Sequence, residues 1–176
     1  MNKTTLRHRL TAMILALMVI SFSKCVFADV SVPYGFPEEK CLEMMHILID
    51  EYGLSPEGAA SVLGNVAQES MFKGDAYSGY YYGICQWDPN DRWPLICAWT
   101  TAHGYDIYDP IGQLHAAFSD EAEQYRYSET LQYMKSVSSI EDGVNRWITC
   151  YEGAPGQEES ERISYSYMVL ELYREN

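Results

Sequence analysis

The chain has 176 residues, 21% of them charged, and a formal net charge of −13. That length holds one ordinary domain with a real core. The negative charge excludes nucleic-acid binding by phosphate neutralisation and sets the chain against anionic polymers in general.

Lys3, Arg7 and Arg9 precede an apolar run of 11 residues from Ala12 to Phe22. A spanning helix needs about 20 such residues, so this run is too short to cross a bilayer. Val26-Phe27-Ala28 supplies small residues at the −3 and −1 positions of a cleavage site. Residues 1–28 therefore read as a signal peptide, cut after Ala28, and residues 29–39 as a lead-in. The mature protein is expected to be secreted or held in the cell envelope, with no stable membrane insertion. The signal carries Lys3, Arg7, Arg9 and Lys24 and no acid, so its removal leaves a charge of −17.

Four cysteines remain: Cys41, Cys85, Cys97 and Cys150. An even number in an exported chain points to two disulfides where the compartment is oxidising. Cys85–Cys97 is the preferred pair, because it pins an aromatic segment to the next helix. Four free thiols are the alternative. No cysteine or histidine pair has ligand spacing, so neither a metal nor a cofactor is expected.

In chain order, Asp29 to Phe36 is extended, with Pro33 and Gly35. Cys41, Leu42, Met45, Leu48 and Ile49 predict a helix over Glu38 to Tyr52, stopped by Gly53. Ser55-Pro56-Glu57 is a helix start: a hydroxyl N-cap, proline at N1 and an acid in the first turn. That helix runs to about Ser70. Gly58 and Gly64 weaken it, and close approach of a neighbouring helix would explain them. Met71 to Trp87 lacks a helical period and reads as a loop and a short β-hairpin. Asp91 is the expected N-cap of a helix over Arg92 to His103. Asp109-Pro110 opens another, to about Arg126. Ser128 caps a short helix to Lys135, and Ser139 caps one from Ile140 to Tyr151. A last helix covers about Glu159 to Arg174. The expected class is mainly α, with one small β-hairpin.

The stretch Gly64 to Trp87 carries the chemistry. Glu69 lies near a helix C-terminus, where partial negative charge disfavours a carboxylate. Burial against Met71, Phe72 and Trp87 acts in the same direction. A protonated glutamate near neutral pH suits a general acid at a glycosidic oxygen. On position alone, Glu69 also reads as a solvated surface acid. Tyr80, Tyr81, Tyr82 and Trp87 offer flat faces to sugar rings, and alternation sends about half of them into the core.

Glu69-Ser70-x-Phe72-x-x-x-Ala76-x-Ser78-x-x-x-x-Gly83-Ile84-x-Gln86 resembles the signature of soluble lytic transglycosylases and goose-type lysozymes. In those proteins the Gln of a Gly-Leu-Met-Gln motif follows a Glu-Ser pair; here Gln86 lies 17 residues after Glu69. The whole chain is more similar to the phage tail lysozyme domain. Leu54-x-x-Glu57-Gly58-Ala59-Ala60-x-x-Leu63-Gly64-Asn65-x-x-x-Glu69-Ser70 carries that resemblance, followed by Tyr82-Gly83-Ile84-x-Gln86-Trp87. Arg92 and Leu95, Gln113-Leu114, Tyr151 to Pro155 and Arg162 follow in the same order.

The resemblance implies an α+β lysozyme-like domain over residues 40–176 and an exported peptidoglycan glycosidase. Its partner is the glycan strand, cut at the β-1,4 bond between N-acetylmuramic acid and N-acetylglucosamine. Glu69 is then the catalytic acid. Ser70, Tyr82, Gln86, Trp87, Tyr151 and Glu152 are the expected substrate-binding residues, and Glu152 and Arg162 form an ion pair at the end of the cleft. A second carboxylate is left open among Asp75, Asp88, Asp91 and Glu152. Asp75 and Asp88 read first as loop and turn residues. Lysozyme-type hydrolysis and transglycosylation both fit. The alternative is a non-catalytic glycan-binding or interaction protein that kept the fold, which the mature charge favours. A local wall-remodelling factor of a secretion or conjugation machine is a third reading.

Overall fold

The computed structural model describes residues 32–176, which are mainly helical. The signal-peptide reading of residues 1–28 lies outside the described residues. No described helix is long and apolar enough to cross a membrane.

Helix α1, Glu38–His46, buries Cys41, Met44 and Met45. It widens into a π-helical turn, Ile47–Glu51, so the single helix expected here changes pitch near its middle. Helix α2, Pro56–Ser70, starts as its sequence dictates. The Ser55 hydroxyl accepts from the Gly58 N–H at 3.0 Å and donates to the Val137 carbonyl at 2.6 Å. Most of α2 is buried, and it forms the centre of the domain. Small side chains make that possible, because they let neighbouring backbones approach.

Helix α3 spans Trp93–Ala102 and α4 spans Pro110–Ala117. Asp91 does not cap α3; Arg92 occupies that position, and the Trp93 N–H bonds to the Asp88 carbonyl at 3.0 Å. Asp91 sits one residue too early, inside the turn. Asp109 caps α4 as expected, accepting from the Ile111 N–H at 2.8 Å. Helix α4 ends at Ala117 rather than near Arg126. There the Ser119 hydroxyl donates to the Ala116 carbonyl and accepts from the Ala122 N–H, which opens a π-helical turn over Asp120–Gln124. Helix α5 follows at Tyr125–Met134, so Ser128 lies within a helix and caps nothing. Helix α6, Ile140–Arg146, begins on Ser139 and runs into a third π-helical turn, Trp147–Glu152. Helix α7 covers Glu159–Glu175 and packs along α2.

Two glycines of α2 set how near its neighbours come. A Cβ on Gly64 would lie 1.9 Å from Ser166 Oγ, 2.6 Å from Ser166 N and 2.8 Å from the Arg162 carbonyl, all on α7. A Cβ on Gly58 would meet the Met134 carbonyl of α5 at 2.0 Å. Both glycines therefore mark the close approach expected from the sequence.

The β-hairpin is not formed as a ladder. Between Met71 and Trp87 there are two isolated antiparallel bridges, Tyr77 with Tyr82 and Tyr82 with Trp87. Tyr82 is shared by both, and Gly79 and Gly83 take left-handed conformations on either side of it. A strand needs consecutive extended residues, and these glycines interrupt them. The expected disulfides are also absent: Cys41, Cys85, Cys97 and Cys150 are all free. Cys41 and Cys85 are buried as small apolar groups, and burial pushes the Cys41 thiol up to about 12.

Gly64→Ala drives a methyl group into the backbone of α7. It should lower the unfolding free energy by about 1–3 kcal/mol. Thermal and denaturant unfolding of the two proteins checks this.

Candidate active site

Glu69 sits in the last turn of α2, directly before an abrupt exit from the helix. Met71 and Phe72 both take left-handed backbone conformations, at φ +50° and +61°. Such angles are uncommon for residues with a Cβ and need compensation. Phe72 supplies part of it by burying its ring edge-on against Phe36, with centroids 5.4 Å apart. Ser70 supplies more: its hydroxyl lies 3.0 Å from the Ile84 carbonyl and 3.1 Å from that of Val66. Ser70 thereby joins the helix end to the glycine-rich loop. Its side chain is buried in that role.

Glu69 is not walled in by rings. Its carboxylate takes a short hydrogen bond from Arg162 of α7, and its side chain is 21% exposed. Arg162 itself is buried and gathers four groups. Nη1 donates to Asn65 Oδ1 at 2.8 Å, Nε to the Gln157 carbonyl at 3.2 Å, and Nη2 to Glu69. Glu152 Oε2 stands 2.8 Å from Nη1, so the Glu152–Arg162 ion pair is present. Two carboxyl groups thus converge on one guanidinium.

Glu152 is the more enclosed of the two, with a side chain only 8% exposed. Neither of its oxygens receives a well-directed hydrogen bond, despite the short distance to Arg162. A buried, poorly solvated carboxylate is costly. Burial accordingly pushes the Glu152 carboxyl up to about 8; Arg162 opposes the shift and Glu69 adds to it. With its value raised to about 8, the Glu152 carboxyl keeps a proton near neutral pH.

Other elements hold Glu152 in place. It ends the π-helical turn Trp147–Glu152, and Gly153, at φ +73°, turns the chain away. Tyr151 stacks on Trp147, with ring centroids 3.9 Å apart. Arg92 lies over the other part of that site. Its guanidinium is 4.3 Å from the Tyr151 ring centroid and donates to the Tyr151 carbonyl at 3.1 Å. Arg92 is held in turn by a two-pronged pair with buried Glu123, at 2.8 and 2.9 Å. Trp87 Nε1 completes the set, donating to the Tyr151 hydroxyl at 3.4 Å.

Trp87 and Tyr151 are therefore core side chains and present no open ring face. Tyr82 is half-buried and stacks on Trp93, with centroids 5.5 Å apart. Gln86 takes a left-handed backbone, at φ +50°, and its Nε2 closes its own turn onto the Gly83 carbonyl at 2.9 Å. Its Oε1 is buried without a hydrogen-bond partner, an acceptor that requires an explanation. Asp88 is a turn residue, accepting from the Asn90 N–H at 2.7 Å. Asp75 and Asp91 are exposed. No cluster of metal-binding side chains occurs among the described residues.

Four contributors were not singled out as site residues from the sequence. Asn65, Arg92 and Gln113 belong to the quoted motifs and were visible there. Glu123 carries no local signal, because its partner Arg92 is 31 positions away.

A helical domain that brings two carboxyl groups onto one buried arginine has the equipment of an acid–base site. The chain matches the phage tail lysozyme family over residues 39–173, and it belongs to that family. No curated protein matches it.

The raised Glu152 value has a stability consequence with a definite sign. The folded state binds a proton that the unfolded state releases near pH 4.5. Stability should therefore fall as pH rises from about 4.5 to 8, and this part levels off above that. Glu152→Gln should flatten that slope and make the protein relatively more stable at the alkaline end. Melting temperatures of both proteins from pH 5 to 9 test it; equal slopes would contradict the assignment.

Proposed function

We propose that this protein is an exported peptidoglycan glycosidase that cleaves the β-1,4 bond between N-acetylmuramic acid and N-acetylglucosamine, with Glu69 as the acid. Family membership supports the lysozyme-like chemistry and the substrate. The observation that carries the assignment to Glu69 is its convergence with Glu152 on Arg162, at the end of α2 and beside the glycine-rich loop.

Glu69 is the more exposed carboxyl of the pair and is the one that reaches substrate. The proton stored on Glu152 passes through Glu69 to the glycosidic oxygen. The C1–O bond breaks and the leaving sugar departs with that proton. Positive charge then develops at C1 and its ring oxygen. Either water or the muramic acid's own 6-hydroxyl adds at C1, and its proton returns to the carboxyl pair. Atoms and charge balance in both outcomes.

Two-carboxylate hydrolysis places its carboxyls on opposite sides of the scissile bond. Glu152 shares a guanidinium with Glu69, so it stands beside the acid and not across the sugar. We therefore read Glu152 as a proton store rather than the group that attacks C1, a reading supported by its sharing of Arg162 with Glu69. The unpartnered Oε1 of Gln86 is suited to accept from a substrate hydroxyl or N-acetyl N–H.

A second reading, a glycan-binding protein without turnover, draws on one observation: Arg162 holds Glu69 in an ion pair. Product analysis separates the two. Purified mature protein should release soluble fragments from peptidoglycan, and Glu69→Gln should reduce that release by at least about a thousandfold. Mass spectrometry then gives the chemistry, since 1,6-anhydro ends mark transglycosylation and reducing ends mark hydrolysis. Undiminished activity in Glu69→Gln would refute the assignment.

A further inference from the structure

Arg92 and Glu123 form a second ionic centre, behind the carboxyl pair. Arg92 directly precedes α3, and Glu123 lies in the π-helical turn Asp120–Gln124. Their side chains are 11% and 1% exposed. A buried ion pair is a weak source of stability, because lost hydration offsets the attraction. Apolar side chains of similar size would fill the same space. What they would lack is a directed donor. Arg92 keeps Nε and Nη2 on the Glu123 carboxylate, and this aims Nη1 at the Tyr151 carbonyl, 3.1 Å away.

That carbonyl belongs to the peptide unit that carries the Glu152 nitrogen. It lies at the end of the π-helical turn Trp147–Glu152, where carbonyls run out of partners within the helix. The rest of Tyr151 is fixed as well. Its ring stacks on Trp147 and meets the Arg92 guanidinium, and its hydroxyl accepts from Trp87. Glu152 is held differently. Beyond its ion pair with Arg162, its oxygens receive no well-directed hydrogen bond. The backbone therefore places this carboxyl, and Tyr151 places the backbone. Widened helical turns of this kind recur at functional sites.

We infer that Arg92 and Glu123 are positioning residues, which act through the Tyr151–Glu152 peptide unit to keep the Glu152 carboxyl on Arg162, beside Glu69. Both are buried, so their effect on the reaction is indirect. Its catalytic side rests on the proposed function, while the placement of Glu152 can be measured without turnover. The groups that face Glu152 are Glu69 from α2, Arg162 from α7 and the Cys85 thiol from the glycine-rich loop. Arg92 and Glu123 stand behind Tyr151. Without them Glu152 turns toward water, and its proton affinity relaxes toward that of an ordinary carboxyl.

The test uses the full mature chain with Arg92→Met and Glu123→Leu together, which leaves no buried charge unpaired. Melting is followed from about pH 5 to 9, with and without Glu152→Gln, to isolate the part of the slope that Glu152 causes. That part should shrink to less than about half in the double variant. In peptidoglycan release, kcat should fall at least about tenfold while KM stays within about twofold. The alkaline limb of the kcat profile should move to lower pH. Arg92→Lys is the second variant and decides the matter if the first does not fold. Its point charge faces Glu123 but cannot hold the fork and the carbonyl together, so the same changes should appear in smaller measure. A wild-type Glu152 slope would overturn the inference, even where the enzyme proves active. A reduced slope with unchanged kcat would overturn their part in the reaction. A reduced slope in a protein that never releases fragments would uphold the placement and sink the proposed function alone.

Discussion

The buried guanidinium of Arg162 is the constraint on which the rest depends. A cation taken out of water is stable only if its donors are matched, and removing a partner from a buried pair costs about 3–5 kcal/mol. Arg162 meets Asn65 and Glu69 on α2, Glu152 at the end of the third π-helical turn, and the Gln157 carbonyl in the loop that follows. Those partners come from separate parts of the chain. They can meet only if α7 lies close against α2, and Gly64 is what permits that. The atoms nearest to Gly64 include the backbone of Arg162 itself. Helix packing and site assembly are therefore one requirement, satisfied at one place.

The same guanidinium decides how the acids behave. One positive charge faces two carboxyl groups in a poorly solvated space, so full ionisation would leave a buried excess of negative charge. The neighbouring Arg92–Glu123 pair is internally balanced and relieves none of it. A proton retained on Glu152 removes the excess. This differs from the arrangement in which one glutamate is raised by apolar walls alone. A substrate that displaces water from this space would strengthen every charge interaction within it.

Much of this was legible in the residues, for physical reasons that can be named. Ser55-Pro56, Asp109-Pro110 and Ser139 start helices because each supplies the missing acceptor for a free N–H, and all three do so here. Gly58 and Gly64 mark close approach because nothing else fits. The π-helical turns were not legible, since a widened turn leaves the apolar spacing almost unchanged over so few residues. Yet one of them carries Tyr151 and Glu152. The hairpin failed because alternation was read through glycines that adopt left-handed angles. Glu69 was placed correctly at a helix end, but its partner arises 93 positions later. A single sequence does not display that contact. Trp87 was read as a ring face for sugar and Tyr151 as a binding residue by resemblance, and the fold buries both side chains.

The acidity of the chain limits the ways in which a wall polymer can be held. A strongly negative protein is repelled by an anionic wall at long range, and a charge-based grip would need cations in excess of the acids it carries. Ring stacking needs none, and salt does not screen it. The price of such a grip is order, because loose side chains lose entropy on binding. Here that cost is met in advance, during folding. Met71, Phe72 and Gln86 accept left-handed backbones, and Gln113 bonds Gly74 and Ile84 of one loop and Ile107 of another. The strain and the buried amide lie on either side of the loop that joins Glu69 to the rings. Together they hold the loop between Glu69 and Trp87 in one conformation, tied to the helix end by Ser70.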